Sequence, residues 1–101
     1  MAGDEDFSDI EPLRIEAIRH RTEVTIIVDG HLDVATSPRF RESVKEVLAS
    51  RPRSMAIDAS RVTFVDSSGL GALLSARHAV RTEAGLAFRV IDPSPALLHV
   101  R

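Results

Sequence analysis

The groups most able to do chemistry crowd into one stretch, Val62-Thr63-Phe64-Val65-Asp66-Ser67-Ser68-Gly69-Leu70-Gly71. A carboxylate, two hydroxyls and a Gly-x-Gly pair follow an apolar run, and Leu73, Leu74 and Val80 continue an apolar helical face. The pattern reads as strand, tight turn and helix start. It sets small hydroxyls where unpaired backbone N–H groups and the helix macrodipole favour negative charge. A nucleophilic serine needs a base in reach and an oxyanion site. Nothing nearby supplies a base, and the Gly-x-Ser-x-Gly elbow is absent because Val65 and Asp66 precede the serines. A phosphate cradle needs a third glycine or a following Gly-Lys-Ser/Thr, and neither is present. One serine is expected to cap the helix. Asp66, Ser67 and Ser68 together offer more capping groups than one helix uses, so a hydroxyl remains for a kinase. The stretch predicts a site that receives a phosphate, and no catalytic residue is expected.

The remaining composition narrows the classes. A chain of 101 residues implies one domain with one modest core. Hydrophobic residues make up 44% and charged residues 28%, the balance of an ordinary globular protein. There is no cysteine, so disulfides and thiolate chemistry are excluded. A net charge of -2 gives no electrostatic footprint for nucleic acid. No apolar run approaches the roughly 20 residues of a membrane span. The opening Met1-Ala2-Gly3-Asp4-Glu5-Asp6 lacks the basic and apolar regions of a signal peptide, which makes the cytoplasm the expected location. Of the four histidines only His31 stands near an acid of interest, Asp33, and that spacing alone does not make a closed metal site. No metal and no cofactor are expected.

Elements must now be found to position the serines. Residues 1–11, with Asp4, Glu5, Asp6, Asp9 and Glu11, repel one another and read as a flexible acidic tail ahead of a single domain over 12–101. Leu13, Ile15 and Ala17 alternate with polar residues, and Val24-Thr25-Ile26-Ile27-Val28 is β-branched, which predicts a hairpin. Asp29-Gly30 supplies turn chemistry to end the second strand, and His31-Leu32-Asp33-Val34 follows as a short exposed loop anchored by Leu32. Thr36-Ser37-Pro38 opens a helix, with Phe40, Val44, Val47 and Leu48 on one face and Pro52 beyond its end. Ser54 to Ala59 reads as a third strand, and a second helix runs from Ser67 or Ser68 to about Glu83 with Gly85 just past it. Leu86 to Ile91 reads as a fourth strand. Asp92-Pro93-Ser94-Pro95 is a turn, and a short helical piece follows. The order β-β-α-β-α-β-(α) predicts a small α/β domain with a mixed sheet of about four to five strands covered by helices.

The run from Val62 to Leu74 resembles the signature of the bacterial anti-sigma factor antagonists of the STAS-domain family. Val28-Asp29-Gly30-His31-Leu32-Asp33, with a helix from Ser37, resembles that family's first loop, a Gly-x-Leu-Asp pattern. The resemblance covers roughly Leu13 to Leu98. It implies that the first serine after the aspartate, Ser67, is phosphorylated by a partner anti-sigma factor that is itself a serine kinase. It implies further that the loop with Gly30, His31, Leu32 and Asp33 joins Asp66, Ser68 and Gly69 in a partner-binding surface. Unphosphorylated, such a protein binds the anti-sigma factor and frees a sigma factor for transcription. The alternative from the same resemblance is a STAS scaffold or accessory subunit of a stress-signalling or transporter complex, without its own phosphoswitch. Family members run on through a longer last helix. The C-terminal helix is therefore expected to be truncated here, which would expose apolar surface and favour a homo-oligomer.

Overall fold

A computed structural model of the chain describes residues 12–82 and 87–91. Its elements are β1 (Leu13–His20), β2 (Glu23–Leu32), α1 (Ser37–Ala49), β3 (Ser54–Val65), α2 (Ser67–Thr82) and β4 (Ala87–Ile91). The acidic lead-in, the expected helix end at Glu83, Gly85, Leu86 and everything from Asp92 onward lie outside the described residues.

The four strands form one sheet in the order β1-β2-β3-β4. β1 and β2 are an antiparallel hairpin, with Leu13 opposite Gly30 and His20 opposite Glu23. β2–β3 and β3–β4 are parallel pairs, each joined by a crossover helix. Right-handed crossovers that step twice in the same direction across a sheet leave both helices on the same face. The core is accordingly one cluster. Leu13, Val24, Ile26, Val28, Met55 and Ile57 from alternate strand positions meet Phe40, Val44 and Val47 of α1 and Ala72, Leu73, Ala76 and Val80 of α2. The alternation legible in β2 and the i, i+4, i+7 stripe of α1 both point into this cluster. No described helix is long and apolar enough to cross a membrane.

Two strands run further than their sequences suggest, and both extensions lead to the serine-bearing turn. β2 continues through Asp29-Gly30 to Leu32 instead of turning there. Gly30 sits at φ +116, and a Cβ on it would collide with the Pro12 carbonyl oxygen, so this glycine serves a tight crossing of strands and no chain reversal. β3 continues past Ala59 to Val65. From Ile27↔Asp58 to Asp29↔Arg61, and again from Gly30↔Val62 to His31↔Phe64, β3 contains one residue more than β2. Each extra residue is a β-bulge that shifts the side-chain phase. The positions facing the core cluster therefore fall at Met55, Ile57 and Ala59, then at Val62 and Val65. Spacing of two gives way to spacing of three, which is why the stretch reads as irregular.

The first bulge is braced locally. The Ser60 hydroxyl and amide both donate to Asp58 Oδ1, at 2.7 and 3.0 Å. These two bonds, the hydroxyl first, hold the Asp58 carboxyl below its usual range. The stability that this contact contributes is present above the ordinary carboxylate range and is lost as pH falls through the lowered value.

Candidate functional site

β3 ends at Val65 and α2 starts at Ser67, leaving Asp66 as the single residue between them. Asp66 caps the helix. Its Oδ1 accepts the Gly69 N–H at 2.9 Å, and its carbonyl accepts the Leu70 N–H at 2.9 Å. A serine was the expected cap, and the carboxylate takes the place instead. An ionised acceptor beside the positive end of the helix dipole makes the stronger bond. Ser67 and Ser68 thereby move inside the first turn. Ser67 is exposed and Ser68 half-buried, and neither hydroxyl makes a hydrogen bond among the described residues.

The same aspartate reaches in two further directions. Its Oδ2 accepts the Val34 N–H at 3.3 Å, and its own N–H points to the Leu32 carbonyl at 3.4 Å. One side chain thus joins the end of β2, the loop after it and the start of α2. Gly69 lies directly on the Leu32 carbonyl. A Cβ at position 69 would overlap that oxygen and approach Val65 Cγ2 to 2.9 Å. Gly71 is different, because a Cβ there would meet nothing within 4 Å.

The loop from His31 to Thr36 is closed by its own side chains. Asp33 Oδ1 accepts the N–H groups of Ala35 and Thr36 at 3.0 and 3.1 Å. The Thr36 hydroxyl accepts the Asp33 N–H at 2.9 Å and donates to the His31 carbonyl at 2.8 Å. Thr36 is buried, as polar groups are when every bond they can make is made. Thr36 was read from the sequence only as part of a helix start. The Asp-x-x-Thr spacing, acceptor and hydroxyl three residues apart before a helix, was the signal for its larger role.

The residues singled out in the sequence divide by exposure. His31 and Ser67 are exposed, and Gly30, Asp33, Asp66 and Ser68 are partly buried. Leu32 and Gly69 are buried. The His31 and Phe64 rings pack edge to face, with centroids 5.6 Å apart and 61° between planes. Phe64 and Val34 still expose 48% and 69% of their surface, so apolar groups lie uncovered at the strand and loop ends that flank the serine-bearing turn. No group of three or more His, Cys, Asp or Glu capable of holding a metal exists among the described residues. The arrangement can offer a hydroxyl, a dry rim and two unpaired first-turn amides. Among the described residues no base is bonded to the Ser67 hydroxyl.

The clamp is open to measurement. Asp66→Ala removes an N-cap, which is worth about 1 kcal/mol, and should lower the melting temperature by about 4–8 °C in a domain of this size. Hydrogen exchange at the Val34 and Gly69 amides should quicken together. Unchanged melting and unchanged exchange at both amides would dismiss the clamp.

Comparison with known proteins adds four findings. The family model described as "STAS domain" matches residues 14–100. The "Anti-sigma F factor antagonist" of Paenibacillus polymyxa is 31% identical over 84 residues, which is 82% of this chain and 71% of that protein. Among solved structures, an anti-sigma factor antagonist from Mycobacterium paratuberculosis superposes with a TM-score of 0.69 at 27% identity, covering 77% of this chain and 65% of that one. The phosphorylated form of the Bacillus cell fate determinant SpoIIAA shares the fold, with a TM-score of 0.67 at 22% identity over 85% of this chain and 77% of that one.

Proposed function

The chain belongs to the STAS-domain family, and from that membership we propose that it is an anti-sigma factor antagonist switched by phosphorylation of Ser67. Unphosphorylated, it binds an anti-sigma factor that is also a serine kinase, and a sigma factor is released. The relatives named as antagonists support the role. The observation that supports the switch is the exposed Ser67 hydroxyl, without a hydrogen bond among the described residues in a first turn that Asp66 already caps. Regulation of a sigma factor places this activity in the cytoplasm.

The physics of the switch is local. A phosphate adds about -1.5 to -2 charges at pH 7. The helix N-terminus accepts that charge at a gain of about 0.3–1 kcal/mol, since the first-turn amides have no partner within the helix. The domain keeps its fold. A partner pressed onto Phe64, Val34 and the hydroxyl instead meets a desolvated charge beside the Asp66 carboxylate. In this reading His31 and Ser68 contact the partner at the rim. Gly30, Leu32, Asp33 and Gly69 set the shape of the surface from beneath.

The test is incubation with the cognate anti-sigma kinase and ATP, read by mass spectrometry. A single phosphate on Ser67 is expected. Phosphate on another residue, or on none, would remove the switch while leaving the family membership untouched.

Gly71 gives an independent measure of how closely the partner approaches. It stands one helical turn beyond Ser67, where packing does not call for glycine. Gly71→Ala should stabilise the free domain by about 0.5–1 kcal/mol, because alanine is the better helix former and no atom obstructs it. The complex should weaken all the same, since the methyl group fills the notch beside the hydroxyl. Thermal melting together with a binding titration reads both signs.

A further inference from the structure

α2 contains no Asp or Glu, and its outer face carries Arg77, His78 and Arg81. With Leu74 and Thr82 these residues line a shallow groove of about 430 Å³. None of the three basic side chains has a hydrogen-bond or ion-pair partner among the described residues, and Leu74 beside them is exposed. Arg77 and Arg81 are four residues apart, so they face each other as like charges, which weakens a helix by a few tenths of a kcal/mol. A cationic groove with an apolar end, left without an acidic partner among the described residues, suits an acidic segment that also carries an apolar residue.

The chain has one. Residues 1–11 hold Asp4, Glu5, Asp6, Asp9 and Glu11 with no Lys or Arg, and Phe7 sits among the acids. Every one of the thirteen basic residues lies beyond residue 12. The segment also departs from the right place. Pro12 is fixed to β2, its carbonyl accepting the His31 N–H at 2.6 Å, and His31 pairs with Phe64 just before α2 begins. The eight residues from Pro12 back to Asp4 span up to about 26–29 Å. Arg77 and Arg81 stand about 15 and 21 Å along the helix from Ser67. We propose that the acidic segment of this chain docks along α2, with Asp4-Glu5-Asp6 on Arg77, His78 and Arg81 and Phe7 toward Leu74. The contact is electrostatic and reversible, and it stands whether or not Ser67 is phosphorylated.

The absence of cysteine makes the test clean, because a nitroxide attached to Gly3→Cys has a single attachment point. In the full chain enriched with nitrogen-15, the label should broaden the amide signals of Arg77, His78 and Arg81 at 0.01 M salt, where the screening length is about 30 Å. The signals should return at 1 M salt, where it is about 3 Å. The double variant Arg77→Gln, Arg81→Gln should lose the broadening at low salt while its other signals stay dispersed. Unbroadened signals at low salt, or broadening that survives 1 M salt or the double variant, would overturn the proposal. A mixture of labelled unenriched protein with unlabelled enriched protein should show no broadening. Broadening there would place the segment on a second copy and overturn docking within one chain.

Discussion

Gly69→Ala should unfold the serine-bearing turn first and the domain soon after. The added methyl has no room, since it would overlap the Leu32 carbonyl oxygen and crowd Val65. A flexible side-chain end could give way, but a strand carbonyl paired in a sheet cannot. The first turn of α2 must therefore lift from β2, and lifting breaks the Asp66 bonds to Gly69 and Val34 that hold the loop. Overpacking of this kind destabilises by about 1–3 kcal/mol, and the lost cap adds about 1 more. A fall of about 8 °C or more in melting temperature follows on the scale of about 4–8 °C per kcal/mol. The same substitution two residues on, at Gly71, carries the opposite sign. Comparing the two in one melting experiment isolates the Leu32 contact from any general effect of removing helix glycines. If both variants shift alike, the close approach of Gly69 to β2 is not what the glycine provides.

Ser67→Asp should abolish binding to the anti-sigma factor while leaving melting unchanged or slightly raised. An aspartate in the first turn complements the helix dipole by about 0.3–1 kcal/mol, so the fold has no reason to suffer. Charge pressed into a partner surface, with Asp66 alongside, costs several kcal/mol. Each 1.4 kcal/mol is a factor of ten, so a loss of about a hundredfold or more is expected in calorimetry. Ser67→Ala should bind within a few fold of the parent, because the hydroxyl has no bond to lose among the described residues. Retained binding by Ser67→Asp would show that this face is not the one the partner covers. A loss shared by both variants would make the hydroxyl a contact and not a switch.

Much of the architecture was legible because its signals are local. The alternation of Val24, Ile26 and Val28, the Pro38 helix start and the spacing of Phe40, Val44 and Val47 each fix an element without knowledge of its neighbours. The order of elements follows from them. The turn chemistry of Asp29-Gly30 misled, since a positive φ serves a bulged strand crossing as readily as a reversal. Only the approach of Pro12, eighteen residues earlier, distinguishes the two. The serines invited the capping role because hydroxyls are common caps. That Asp66 takes it depends on where β3 ends, and this in turn depends on bulges that no local pattern announces. Thr36 went unread for a similar reason. The Asp33 side chain three residues earlier was a visible signal, but the His31 carbonyl and the Asp33 amide that complete the Thr36 bonds are backbone groups that a string of side chains does not show.

The two bulges of β3 have a consequence for how this protein can change over time. Met55 and Val65 both face inward, ten residues apart, because the two phase shifts between Asp58 and Phe64 cancel. Loss or gain of one residue in that interval would exchange inside for outside in everything downstream, and would turn the serine toward the core. Removing both extra residues together would restore the phase. Substitution is therefore a gentle mode of divergence here and single-residue insertion or deletion a severe one. Drift in length across this segment is expected to come in steps of two.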